Sequence, residues 1–366
     1  MSKPKIIAFH LPQFHTFKEN DEWWGKGFTE WTNTKKATQQ FKNHFQPRIP
    51  LNENYYDLSD KNSLNEQAEL AKKYNIYGFC FYHYWFNGKL LMEKPLEILL
   101  NEKDIDINFC FCWANEPWTR SWDGQTSEIL IEQDYGDEKD WKLHFNYLLK
   151  FFNDNRYIKI DRKPIIVLYS TNKIDNCEAM ISYWNQLAIE NGFPGIYVIA
   201  EKNSYQKNSN VLNINAELYF EPMYTSFHDR TIFDKLKTKS KSIYINSVNK
   251  KNLVIRDYHQ IWKKIIKRDY SSKKIEFFPG AFVDWDNTAR RKDKATIYLG
   301  ANPRIFKRYF KQLFNNCLKY NNKFIFINAW NEWAEGAYLE PDTINKYSYL
   351  EAIKEITTIS KEENIK

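Results

Sequence analysis

Eight short apolar runs, separated mostly by helix-compatible segments, constrain the fold of this chain more than any other feature. They cover residues 6–10, 77–84, 108–113, 164–169, 196–200, 217–220, 277–283 and 324–330. Segments 64–74, 141–152, 177–191 and 303–320 read as helices between them. Continuous apolar strands alternating with helices specify a parallel sheet buried on both faces. Eight such units in 366 residues predict an α/β chain folded as a (β/α)8 TIM barrel. A doubly wound open sheet is the alternative, but no Gly-x-Gly-x-x-Gly follows the first run. Residues 13–62 form a long aromatic and polar excursion after strand 1, and a basic segment separates strands 6 and 7. Both read as loop insertions on a single barrel domain, residues 1–355, followed by a charged tail, 356–366.

In such barrels the active site sits where the strands end. The eighth run ends in Asn331-Glu332-Trp333-Ala334-Glu335-Gly336, which puts two carboxylates beside tryptophans. Glycosidic-bond chemistry uses carboxylate pairs to move protons and flat aromatic faces to hold a sugar ring. The bland reading is a strand end with two solvated acids. Against it, polar and aromatic residues follow nearly every run. They are His10 and Gln13; His83 and Tyr84; Asn115, Glu116, Trp118, Arg120 and Asp123; Tyr169; Glu201; Glu221; and Asp284, Trp285, Asn287 and Arg290. Trp31 in the excursion, with Asn331 and Trp333 beside the pair, completes a sugar-sized candidate set. Aromatic residues make up 17% of the chain, more Trp and Tyr than a core alone needs. A compositional bias toward Asn, Lys, Tyr and Ile is the competing explanation.

No metal or cofactor motif is visible. The seven histidines show no His-Glu-x-x-His spacing, and the five cysteines lack a second pair that would complete a zinc site. Three cysteines lie inside apolar runs and read as reduced core residues. The N-terminus leads straight into a strand, and no run reaches the roughly 18 apolar residues of a membrane helix. The expectation is a cytoplasmic protein. Residues 229–274 hold 14 Lys or Arg against 4 Asp, a local +10 in a chain of net charge +7. Within them Val254, Tyr258, Ile261, Trp262 and Ile265 recur at helical spacing. The segment reads either as a barrel helix with a solvated lysine-rich back, or as a surface for an anionic ligand or the membrane surface. Nucleic acid is not expected, because no recognition motif accompanies the charge.

Seven motifs in order carry a family resemblance: Leu11-Pro12-Gln13-Phe14-His15, Gly27-Phe28-Thr29-Glu30-Trp31, Phe81-Tyr82-His83-Tyr84-Trp85, Trp113-Ala114-Asn115-Glu116, Trp118-Thr119-Arg120, Asp284-Trp285-Asp286-Asn287-Thr288 and Trp330-Asn331-Glu332-Trp333-Ala334-Glu335-Gly336. Together they resemble the WbsX-like proteins, a group similar to glycoside hydrolase family 99, the endo-α-mannosidases. The resemblance implies a (β/α)8 barrel acting on oligosaccharides or polysaccharides with retention. It implies that Glu332 takes the proton of the sugar 2-hydroxyl, whose oxygen attacks C1 to give a 1,2-anhydro intermediate, and that Glu335 acts as acid and then base. A raised Glu335 pKa is expected, from burial and the neighbouring carboxylate. Trp113-Ala114-Asn115-Glu116-Pro117 also resembles the Asn-Glu-Pro of conventional retaining glycosidases, so Glu116 stands as a substrate-binding residue with acid/base as its alternative. WbsX-like proteins are usually named as glycosyltransferases of O-antigen and capsule biosynthesis. A transferase of lipopolysaccharide or capsule assembly is therefore the alternative to a glycosidase or transglycosidase, and a non-catalytic carbohydrate-binding barrel is a third class.

Overall fold

The computed structural model describes residues 3–120, 128–271 and 275–358. Its centre is a parallel barrel. The strands are β1 (Lys5–His10), β2 (Ile76–Phe86), β3 (Asn108–Trp113), β4 (Lys163–Leu168), β5 (Tyr197–Lys202), β6 (Ala216–Tyr219), β7 (Glu276–Phe278, resuming as Gly280–Phe282) and β8 (Phe324–Asn328). Each pairs in parallel with its sequence neighbours, and β1 also pairs with β8. The (β/α)8 expectation holds, with one irregularity. Pro279 divides β7, so that nine strand segments make an eight-stranded barrel. The first half of β7 pairs with β6 and the second with β8. Proline has no N–H to donate to a ladder, but its carbonyl still accepts from Phe326 N at 3.0 Å.

The strand period of two assigns every side chain to one of two environments. Phe9 points inward, where its ring meets Tyr82 and Phe326 on the two adjacent strands and Phe220 from the end of β6. Cys80, Cys110 and Cys112 share that interior with Glu201. All five cysteines are buried and unpaired. The alternate positions face the helices: Phe111 packs on Phe151, and Trp113 on Trp184. Both faces are apolar, which is why the runs read as continuous.

The two insertions fall where the sequence places them. After β1 come the helices Lys18–Trp24 and Glu30–Lys36 and the short turn Leu51–Glu53, before the barrel helix Lys61–Lys73. Between β6 and β7 lie the helices Met223–His228, Ile232–Asn249 and Tyr258–Lys267 and a strand, Val254–Asp257, paired in parallel with Thr296–Leu299. The stripe expected as one helix is thus split. Val254 belongs to the strand, while Tyr258, Ile261, Trp262 and Ile265 form the buried face of the helix. At the C-terminus, helix Ser348–Thr358 buries Leu350, Ile353 and Ile356. Positions 356–358 therefore belong to a barrel helix rather than a tail, and 359–366 lie outside the described residues. Among the described residues no helix is long and apolar enough to cross a membrane.

Closure at β7 depends on a missing side chain. A Cβ on Gly280 would overlap the carbonyl oxygen of Tyr219. Gly280→Ala should cost about 1–3 kcal/mol through this overpacking, measured as a lower chemical-denaturation midpoint with an unchanged slope.

Candidate active site

The loop after β8 folds back on itself. Asn331–Glu332 pairs antiparallel with Ala337–Tyr338 around a single turn, Trp333–Glu335. Gly336 ends the turn at φ +65°, and a Cβ there would stand 3.0 Å from the Arg48 guanidinium, so glycine is required twice over. Asn331 fixes the loop to the loop after β1: its Oδ1 accepts from Leu11 N at 2.7 Å and its Nδ2 donates to Leu11 O at 3.0 Å. Glu332 and Glu335 are thereby brought to one guanidinium.

That guanidinium belongs to Arg290, on the short helix Thr288–Arg291 after β7. It donates to Glu335 at 2.5 Å, to Glu332 at 3.1 Å and to Glu30 at 3.0 Å. Three carboxylates share one cation in a buried setting. Burial pushes Glu332 up to about 8; Arg290 opposes the rise, and the charges of Glu335 and Glu30 add to it. Burial also raises Glu335 above the ordinary carboxylate range, again opposed by Arg290 and reinforced by Glu30. The cluster thus keeps a proton near neutral pH, and it titrates as a unit. Side-chain exposure is 1% for Glu30, 7% for Glu332 and 22% for Glu335, which makes Glu335 the most accessible carboxylate.

A second ionic layer braces the first. Asp286 accepts from His44 at 2.8 Å and Gln46 at 2.9 Å, and its backbone N donates to Glu335 O at 2.7 Å. Burial alone would raise Asp286, but the His44 hydrogen bond and the Arg48 charge outweigh it and hold it at about 2. Asp284 pairs with Arg48 at 2.8 Å. Its partner and its role are therefore in the scaffold, and a cation approaching the Asp284–Asp286 pair would have to displace a fixed guanidinium.

Of the remaining candidates, Tyr84 and Tyr169 lie near the carboxylates. Burial keeps both hydroxyls protonated, reinforced at Tyr84 by the charge of Glu332 and at Tyr169 by Glu201 and, more weakly, Glu335. Trp118 meets Tyr84 edge-on and lies against Trp23 and Trp24, forming an aromatic wall. Arg120 pairs with Glu128 at 2.8 Å and donates to Trp23 O; Glu116 accepts from Lys173 at 2.7 Å. Asp123 lies outside the described residues.

Other expectations are corrected. His10 faces the helix layer, hydrogen-bonded to Gln67 at 2.9 Å and packed on Phe79 and Phe81, and burial lowers it to about 4. His83 also faces outward, 2.9 Å from His144. Trp31 packs among Phe14, Tyr56 and Trp333. Trp333 stacks on Tyr338 and donates to Glu340 at 2.6 Å. Glu221 is bound by Thr225 and Arg268. Asn115 clamps Ser170, Asn287 accepts from Thr296 N, and Gln13 donates to Asn20. Trp285 is buried, its N donating to Asp284. These residues are held within the scaffold. Glu30, inside the Gly27–Trp31 motif, joins the cluster without a role that the sequence predicts; its signal is an acid opening a helix beside Trp31. A cavity of about 690 Å³ opens beside Trp333 and Glu340, also lined by Tyr55, Tyr56, Gln67 and Tyr347, but neither Glu332 nor Glu335 lines it.

The proton held by the Glu332–Glu335 pair has a consequence for stability. Unfolded, a glutamate loses its proton near 4.5; folded, burial holds the pair's proton to about 8. Unfolding therefore releases a proton within that window, and stability falls as pH rises, by up to about 1.4 kcal/mol per pH unit. The thermal midpoint should decline between about pH 5 and pH 8, and Glu332→Gln should flatten the decline. An identical slope in the variant would show that the pair is already fully ionised at the acid end.

The family model described as Glycosyltransferase WbsX matches residues 6–353. The chain is 34% identical over 356 residues to the protein WxcX of Xanthomonas campestris pv. campestris, covering 96% of this chain and 49% of that protein. A second strain's WxcX gives the same figures. The chain thus spans about half the length of these curated relatives. Among solved structures, a glycoside hydrolase-like protein superposes with a TM-score of 0.61 at 14% identity, over 98% of this chain and 95% of that one. The GH99 endo-alpha-mannosidase from Bacteroides thetaiotaomicron superposes with a TM-score of 0.57 at 13% identity, over 96% of both chains. These likenesses establish a shared fold, and with the match across nearly its whole length, the chain belongs to the WbsX glycosyltransferase family.

Proposed function

We propose that the protein is a retaining carbohydrate-active enzyme that cleaves or transfers glycosidic bonds in the manner of an endo-α-mannosidase, with Glu332 and Glu335 as its proton carriers. The observation that carries this reading is the Arg290-bridged pair at the end of β8, which retains a proton near neutral pH. In the first step, ionised Glu332 takes the proton of the sugar 2-hydroxyl. O2 bonds to C1 as the bond from C1 to the leaving oxygen breaks, and Glu335 protonates that oxygen. In the second step, Glu335 takes a proton from water or an acceptor hydroxyl, whose oxygen bonds to C1. The C1–O2 bond opens, and O2 recovers its proton from Glu332. Two inversions give retention. Water as acceptor gives hydrolysis, and a sugar hydroxyl gives transfer.

Throughout, the pair holds one proton, so the net charge beside Arg290 is constant and the guanidinium need not rearrange. The greater accessibility of Glu335 suits the carboxylate that must reach both leaving group and acceptor. Tyr84, Trp118 and Tyr169 supply faces for the ring. No step calls on a metal ion or cofactor. A nucleotide-sugar transferase is the second reading, favoured by the family's description. Under it a diphosphate would need Arg290 or Arg120, yet Arg290 already faces three carboxylates and Arg120 is paired with Glu128. The family resemblance supports substrates among bacterial surface polysaccharides, O-antigen or capsule. Cytoplasmic assembly or turnover is in keeping with five buried thiols left unpaired.

Glu335→Gln should slow turnover of unactivated α-mannosides roughly 10²–10⁴-fold, with a smaller loss in the first step on aryl glycosides whose leaving groups need no acid. Glu332→Gln should impair both substrates alike, followed by mass spectrometry of the products. Wild-type rates in Glu335→Gln with a natural donor would overturn the assignment.

A further inference from the structure

The helix Ile232–Asn249 is built inside out. A surface helix ordinarily turns its apolar stripe to the core and its polar face to water. Here Ile232, Phe233, Leu236, Ile243, Tyr244 and Val248 are each between 58 and 79% exposed. Ile245 packs on the small cluster of Leu253, Ile255, Ala295 and Ile297, and the other residues that hold the helix to the body are polar. Asp234 pairs with Lys264 at 2.9 Å, Thr238 accepts from Arg230 at 2.7 Å, Lys241 pairs with Asp257 at 2.8 Å, and Ser242 accepts from Ile255 N at 2.9 Å. Thr238 is the helix's buried residue. A patch of this kind marks an interaction surface.

Charge identifies the occupant. From Ile232 to Lys251 the chain carries six lysines and one aspartate. Lys237 and Lys241 turn to Asp257, whereas Lys235, Lys239, Lys250 and Lys251 form no ion pair among the described residues. Lysine is depleted from protein–protein interfaces. An apolar and aromatic face flanked by lysines is instead the pattern of a helix lying in the headgroup region of an anionic bilayer. We propose that this helix docks the protein on a membrane surface rich in anionic phospholipid.

The placement bears on the active site. The helix leans on strand Val254–Asp257, which pairs with Thr296–Leu299. That strand is tied to the loop carrying Arg290, through an Asp286–Ile297 bridge and a hydrogen bond from Thr296 N to Asn287 at 2.8 Å. The docking face is thus built on the loop that bears Arg290. Where the glycosidic-bond reading also holds, the substrate would be a glycan attached to that membrane.

Flotation of the full chain with vesicles tests docking without any activity assay. Vesicles of phosphatidylglycerol mixed with phosphatidylcholine should bind it at least roughly tenfold more tightly than phosphatidylcholine alone, with added salt weakening the binding. Leu236→Glu with Ile243→Glu should reduce binding about tenfold or more while leaving the thermal midpoint unchanged, since both side chains are exposed. Tyr244→Trp should show blue-shifted emission on the anionic vesicles. Absence of vesicle binding, equal binding to neutral vesicles, or binding indifferent to the double substitution would overturn the proposal. So would a self-associated species in light scattering that the double substitution disperses while vesicles bind neither form.

Discussion

Arg290 places one positive charge among three carboxylates, and the architecture of the barrel mouth follows from keeping it there. A buried ion is tolerated only when paired and hydrogen-bonded, and Arg290 meets Glu30, Glu332 and Glu335 from three directions. These partners arrive on two other loops, those after β1 and β8. The long excursion after β1 thereby has a purpose. It delivers Glu30 to the cation, His44 and Gln46 to Asp286, and Arg48 to Asp284 and the Gly336 carbonyl. Burial, reinforced by the negative surplus, is also what retains a proton, so the scaffold and the proposed acid–base chemistry have a common origin.

The aromatic surplus divides between two uses. Phe14, Trp31, Tyr56, Trp333 and Tyr338 form a packed layer beneath the loops, with Trp31 donating to Tyr56 O at 2.8 Å. Trp23, Trp24, Trp118 and Tyr84 form a second cluster, proposed above to face the sugar. Trp333 sits between the two key glutamates in sequence, yet its indole serves Glu340.

The barrel was legible because strands buried on both faces leave continuous apolar runs. Boundaries were less so. The run at 196–200 extends through Glu201 and Lys202, since Lys202 is buried in an ion pair with Glu217 at 3.0 Å on the adjacent strand. His10 and His83 were misplaced for a geometric reason: each neighbours an inward aromatic, Phe9 or Tyr82, and alternation turns the imidazole to the helices. Glu30 could not be assigned from spacing, because its partner lies 260 residues away. The helix Ile232–Asn249 shows no apolar stripe in the sequence because, Ile245 apart, its apolar residues serve no core, while those at Tyr258–Lys267 do.

Barrel enzymes diversify by exchanging loops one at a time over a constant frame. Here that freedom is curtailed. The loops after β1, β7 and β8 are wired together through Arg290, Asp286, Arg48 and Asn331. A chimera receiving the β8 loop alone would inherit two acids without their cation; one receiving the β7 loop alone would inherit a cation without acids. The three segments make a single heritable cartridge, to which the loop after β3 is tied by the Arg120 hydrogen bond to Trp23 O. Variation in the bond-making machinery should travel in that block, and variation in what is recognised should accumulate around it.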